Sequence, residues 1–206
     1  MPTASHLPAR IVVLASGSGT VFDALADAVA GADDVAIVRL VCDQPQAGAL
    51  HRAADRGIQT EVVALAAGDD RAAWNQRVGD AVGRGHPDLV VSAGFMRILG
   101  DTVLARFANR VINTHPALLP ACPGAHAVRD ALAYGVRVTG CTVHMVDAGV
   151  DTGPVIDQRV VDVRLDDDES ALHERIKQVE RHLLPEVVLS MMRHGWTIDG
   201  RRVTIP

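Results

Sequence analysis

Val111–Ile156 reads VINTHPALLPACPGAHAVRDALAYGVRVTGCTVHMVDAGVDTGPVI. It opens on a short apolar strand that delivers Asn113 and His115 to its carboxyl end. A proline-rich loop, LLPACPGAH, follows. The stretch closes with a strand-like run, GCTVHMV, and an acidic turn, DAGVDTG, that carries Asp151. An amide, an imidazole and a carboxylate therefore arrive on strand ends and their loops, where open α/β sheets assemble their sites. Asn can donate to an oxyanion, His can move a proton near neutral pH, and Asp can orient and charge that His. Such a trio suits acyl or formyl transfer, and that chemistry requires no metal.

Outward from this stretch the chain alternates strands and helices. Strands are expected at Arg10–Ala15, Val35–Cys42, Thr60–Ala64, Asp88–Ala93, Arg110–Asn113, Val138–Val146 and Val155–Val163. Helices are expected at Thr20–Ala30, Gln46–Arg56, Arg71–Gly83, Asp101–Phe107, Ala125–Tyr134 and Ser170–Met192, with a hairpin over Trp196–Ile205. That alternation predicts a mainly parallel sheet covered on both faces, a single-domain α/β, Rossmann-like three-layer sandwich. No repeat, low-complexity tract or linker divides the chain. One domain over residues 1–206 is expected, with its core at about 10–192 and a tail or hairpin at 193–206.

Composition narrows the function. The chain has 206 residues, enough to bury a large core in one domain, and 48% of them are hydrophobic. No apolar run is long enough to span a bilayer, and the start, MPTASHLPAR, has no signal-like segment, so a cytoplasmic protein without a membrane partner is expected. A net charge of −5 argues against a nucleic-acid partner. Cys42, Cys122 and Cys141 make neither a CxxC pair nor an even disulfide framework, and are read as incidental or buried thiols. His115, His126 and Cys122 match no compact zinc spacing, so no metal is expected. The sequence leaves a homodimer open.

Gly17 and Gly19 follow the first strand and precede a helix, an arrangement that offers backbone N–H groups to an anion. Phe22 stands where a dinucleotide fingerprint wants its third glycine, and no G-K-[ST] follows. A phosphate monoester fits this turn better than NAD or a nucleoside triphosphate. A plain tight turn is the alternative. Lys177, the only lysine among 20 basic residues, lies three residues before Glu180 on one helical face. A surface ion pair is the bland reading there. GFMRILG, Gly94–Gly100, follows a buried strand and reads as a core loop. His144 reads as a satisfied strand residue, and His173 and His182 as helix-surface residues.

The motifs N-x-H-P-x-L-L-P, P-G-x-H, T-V-H-x-V and D-x-G-P-[VI]-[IL] occur in this order, and with them the chain resembles the formyltetrahydrofolate-dependent formyltransferases. The similarity runs from Arg10 to about Met192, and within the family it is to the members that formylate glycinamide ribonucleotide. The resemblance implies catalysis by Asn113, His115 and Asp151, with His144 in support and 10-formyltetrahydrofolate as cosubstrate. It implies a ribonucleotide site at Gly19, Thr20, Val21, Lys177 and Glu180. Val21 replaces the family's usual Asn, so its backbone N–H alone can serve there. It implies a folate site at Arg71, Met96, Arg97, Ile98, Leu99, Asn113, Asp147 and Asp151. His115 is expected to be an imidazolium, its pKa raised by Asp151.

Formylfolate hydrolases and methionyl-tRNA formyltransferases share the folate chemistry. The first tend to carry a histidine where Pro116 stands and an N-terminal regulatory domain; the second carry a C-terminal RNA-binding domain. The chain is expected to lack both. A non-catalytic nucleotide-binding module would keep the glycine turn without needing Asn113, His115 and Asp151 together.

Overall fold

The run Ala9–Ala15 (β1) is apolar at every position except Arg10, and its residues alternate between two cores. Ile11, Val13 and Ala15 enter one cluster, and Val12 and Leu14 enter the other. Such a strand is stable only when both sheet faces are covered. The computed structural model, which describes residues 8–206, shows that arrangement. After β1 come α1 (Thr20–Ala30), β2 (Val35–Cys42), α2 (Gly48–Asp55), β3 (Gln59–Val62), α3 (Arg71–Gly83) and β4 (Leu89–Ser92). Then follow α4 (Asp101–Arg106), β5 (Val111–His115), α5 (Ala127–Tyr134), β6 (Val138–Met145), β7 (Val155–Asp162) and α6 (Glu169–His194). A small hairpin, β8 (Thr197–Asp199) and β9 (Arg202–Thr204), closes the chain.

The seven-stranded sheet has the order β3-β2-β1-β4-β5-β6-β7. Pairs from β3 to β5 are parallel, and β6 runs antiparallel to both its neighbours. Helices α1 and α6 cover one face, with Phe22, Leu25, Leu172, Ile176 and Val188 in its core. Helices α3 and α4 cover the other through Trp74, Val78 and Val103. Asp70 starts α3 by accepting from the Ala72 N–H at 2.9 Å, and Asp168 starts α6 by accepting from Ala171 at 2.7 Å, as side-chain caps do. The chain order reverses between β1 and β4. The loops that leave these strands meet there, with Ser16 N–H on the Gly94 carbonyl at 3.1 Å and Met96 N–H on Ser16 Oγ at 2.8 Å.

Several element boundaries depart from the sequence reading by one or two residues, and three of the shifts have a visible cause. Strand β5 extends through His115 because β6 lies alongside it and pairs His115 with Thr142; the proline at 116 ends it. Strand β3 lies earlier, at Gln59–Val62: the Val63 N–H still reaches the Cys42 carbonyl at 2.8 Å, but the Trp74 indole donates to the Val63 carbonyl at 2.9 Å and takes it from the ladder. Helix α2 starts at Gly48, because Ala47 is extended and closes a turn onto the Gln44 carbonyl.

Candidate active site

Side-chain alternation along β5 sorts its chemistry between two faces. Ile112 and Thr114 point toward α6, while Val111, Asn113 and His115 share the opposite side. Across the ladder, Asn113 stands opposite His144 and His115 opposite Thr142. Residues directly opposed in antiparallel strands touch, and the Asn113 amide lies 3.3 Å from His144 Nε2. His144 therefore belongs to the centre of the constellation, which the sequence placed only near it.

Asp151 bridges the two imidazoles. Its Oδ2 lies 3.3 Å from His115 Nδ1, and its Oδ1 lies 3.5 Å from His144 Nε2. Gly124 N–H donates to Oδ2 at 2.8 Å. The bond to His144, the Gly124 N–H and the nearby imidazoles together outweigh burial and hold the Asp151 carboxyl down to about 2. The carboxylate is thus charged across the physiological range. The backbone that presents it is tightly constrained: Asp151 itself sits at φ +53°, Thr152 Oγ1 donates to Asp147 at 2.6 Å, and a Cβ on Gly153 would collide with the Met145 carbonyl.

The protonation of His115 corrects an expectation. Its Nε2 lies 2.8 Å from the Cys122 carbonyl while Nδ1 faces Asp151, so both ring nitrogens meet acceptors, and only imidazolium can donate to both. Burial works against that charge. It outweighs the Asp151 and Cys122 contributions, the neighbouring His144 adds to it, and the His115 pKa lies below the ordinary 6.5. On His144, Nδ1 faces the Met145 carbonyl at 2.8 Å and so carries a proton. Cys122, read as a spectator, serves through its backbone.

A cavity of about 270 Å³ opens beside this cluster. Asn113, His115, His144 and Asp151 form one wall, the Gly94–Leu99 loop a second, and Asp147–Val150 a third. Met96 and Ile98 are 71% and 62% exposed, which makes them apolar walls for a flat ligand. Arg97 lines the same space, its Nε on buried Asp43 at 2.8 Å. Arg71 is not part of the lining. It stacks over Trp74 at 4.3 Å and donates to the Ile98 carbonyl at 2.5 Å, so it holds the loop from behind. His173 and Glu169 of α6 also reach the cavity, whereas the sequence placed His173 on the helix surface. Residues 173, 177 and 180 fall at i, i+4 and i+7 of α6, the spacing that could have disclosed a shared face.

The remaining sequence candidates lie outside that lining. Gly19 caps α1 at φ +75°, and a Cβ there would stand 2.6 Å from Ala49 Cα, so glycine is required. Thr20 is half-buried at the helix start, and Val21, also half-buried, packs against the core. Glu180 is 5% exposed, not on the surface as an ion pair would be. It accepts from Thr114 Oγ1 at 2.8 Å, beneath the strand that carries Asn113 and His115. Burial raises its pKa to about 6, against the opposing effects of Thr114, Lys177 and Arg181. Among the described residues no group of three His, Cys, Asp or Glu is gathered as metal ligands, and no helix is long and apolar enough to cross a membrane.

The profile of the formyl transferase family matches residues 9–188. A phosphoribosylglycinamide formyltransferase of Mycobacterium tuberculosis is 51% identical over 198 residues, covering 96% of this chain and 92% of its own length. That of Bacillus subtilis is 35% identical, covering 89% and 94%. The crystal structure of glycinamide ribonucleotide transformylase 1 from Symbiobacterium toebii superposes with a TM-score of 0.92 at 39% identity, covering 96% of this chain and 93% of that one.

Proposed function

The chain belongs to the formyl transferase family, and from that premise we infer that it transfers the formyl group of 10-formyltetrahydrofolate to the amine of glycinamide ribonucleotide, a step of purine biosynthesis. The observation that carries the reading is the contiguous set Asn113, His115, His144 and Asp151 on one wall of a cavity of about 270 Å³, faced by the largely apolar Gly94–Leu99 loop.

The pterin lies between Met96–Leu99 and the Asp147–Asp151 turn, with Arg71 bracing the first through Ile98. The acceptor's phosphate meets the Gly19–Val21 backbone, with Lys177 supplying charge and Glu180 accepting from ribose hydroxyls. The amine attacks the formyl carbon, and the carbonyl oxygen becomes an oxyanion. Asn113 Nδ2 donates to it, and the His115 imidazolium lends positive charge beside it; such a donor contributes roughly 3–4 kcal/mol. The amine's proton leaves toward Asp151, directly or through water. The bond from carbon to folate N10 then breaks, and His115 protonates N10. A lowered His115 pKa makes the imidazolium a stronger acid at that last step, and the oxyanion beside it supplies the negative charge that keeps it protonated until then. Asp151 orients His115, and His144 holds Asp151.

The test is to mix the protein with 10-formyltetrahydrofolate and follow tetrahydrofolate release with and without glycinamide ribonucleotide. Release that requires the ribonucleotide, with the formylated product formed in equal amount, is expected. Release to water alone would reassign the chain as a hydrolase, and no release in either case would reject the reading.

A further inference from the structure

The backbone at the start of α1 offers a run of N–H groups, with the Ser18 and Thr20 hydroxyls beside them. No side chain caps the helix, and Val21 carries no polar atom. Among the described residues, no backbone hydrogen bond takes up the N–H groups of Ser18, Gly19, Thr20 or Val21. Groups of this kind bind an anion only if their peptide planes are held with N–H outward.

Helix α2 holds those planes. Ala49 N–H donates to the Gly17 carbonyl at 3.1 Å, and Arg52 Nε donates to the Ser18 carbonyl at 3.0 Å. In a trans peptide the C=O of one residue and the N–H of the next point in opposite directions. Drawing the Gly17 and Ser18 carbonyls toward α2 therefore turns the Ser18 and Gly19 N–H groups away from it. Asp23 of α1 forms an ion pair with Arg52, which fixes the guanidinium from the far side; Arg56 joins the same carboxylate at 2.7 Å. The contact is close throughout: a Cβ on Gly48 would lie 3.0 Å from the Ser18 carbonyl.

We propose that Arg52 is a positioning residue for the acceptor's phosphate, acting through the Ser18 carbonyl to aim the Ser18 and Gly19 N–H groups at a phosphate monoester. The inference rests on the reading of this turn as the phosphate site. Arg52 works here by its Nε donor. A glutamine places Nε2 the same number of bonds from Cα, so Arg52→Gln keeps the donor and loses the charge. Arg52→Met keeps the length and loses both.

The measurement is the KM for glycinamide ribonucleotide and for its phosphate-free riboside, at saturating formylfolate. Arg52→Met is expected to raise the ribonucleotide KM about tenfold, the effect of one hydrogen bond to a charged group, and to leave the riboside and folate KM values unchanged. Arg52→Gln should restore most of the loss. Equal increases for ribonucleotide and riboside, or Gln no better than Met, would overturn the proposal. Gly19→Ala serves as the separate control. If it leaves the ribonucleotide KM alone, the phosphate lies elsewhere and the reading of the turn fails; if it raises KM while Arg52→Met does not, only the role of Arg52 fails. Should Arg52→Met not fold, amide NMR shifts of Ser18 and Gly19 on adding inorganic phosphate, compared between wild type and Arg52→Gln, decide the matter. Matching shifts support the proposal, and shifts abolished in Arg52→Gln overturn it.

Discussion

At the β5–β6 end of the molecule the proposed functional groups are side chains, each held from more than one direction. His115 meets Cys122 and Asp151, His144 meets Met145 and Asp151, and Asp151 also meets Gly124. At the β1–α1 end they are backbone N–H groups on a loop steadied from behind by α2. The first arrangement suits chemistry, where a proton must sit on one atom and charge develops at one point. The second suits binding, where a phosphate needs several modest donors and no proton transfer. The two ends should therefore respond differently to substitution: kcat at the first, KM at the second.

The sharpest test of that contrast is Asp151→Asn. It keeps shape and removes the charge that both imidazoles face. Turnover should fall by about 10³-fold, in the range for loss of acid–base and orienting groups, with binding of a folate analogue largely kept. Asp151 raises the His115 pKa against burial, so in the variant His115 should titrate at a lower pH than in wild type. NMR of the imidazole protons reads this directly. Identical titrations, or turnover near wild type, would remove Asp151 from the mechanism.

Glu180 lies against Thr114 of β5 and tests whether burial there has a cost. Its folded pKa of about 6 stands above the ordinary 4.5. The fold thus favours the protonated carboxyl; that stability is present below about pH 4.5 and is lost as pH rises through 6. Glu180→Gln, neutral at every pH, should be more stable than wild type by about 2 kcal/mol at pH 8 and close to it at pH 4. The same variant should raise the ribonucleotide KM, because glutamine has one acceptor oxygen where the carboxylate has two. Urea unfolding at the two pH values checks the first claim; parallel pH profiles would refute it.

The smallest effect belongs to the exposed folate walls. Met96→Ala and Ile98→Ala should each raise the folate KM by roughly fivefold, about 1 kcal/mol of lost apolar contact. Neither should move the urea midpoint, since both side chains are largely exposed. A fall in stability with unchanged folate KM would return the loop to a purely structural role.

Much of this was legible in the chain. The β/α alternation and the doubly buried β1 imply a mainly parallel covered sheet, because a strand apolar at successive positions needs cover on both sides. Asn113, His115 and Asp151 stood out by residue type and by position at strand ends. What the sequence could not position depended on partners distant along it. His144 joins the cluster through an antiparallel register of 31 residues' separation, Glu180 is buried by a strand 66 residues earlier, and Arg52 reaches back 34 residues to a carbonyl.

The His115 pKa marks the boundary most clearly. Residue types disclose that a carboxylate and an imidazole are available, and opposite charge predicts a raised pKa. Desolvation depends on how much protein surrounds the ring, which no local pattern states. Residue order and polarity therefore settled the sheet and its two cores and put forward the candidate reacting groups, since these follow from side-chain period and chemistry. Packing decided which nitrogen faces which oxygen, and whether burial or charge sets the proton, because both depend on distances between segments that only folding brings together.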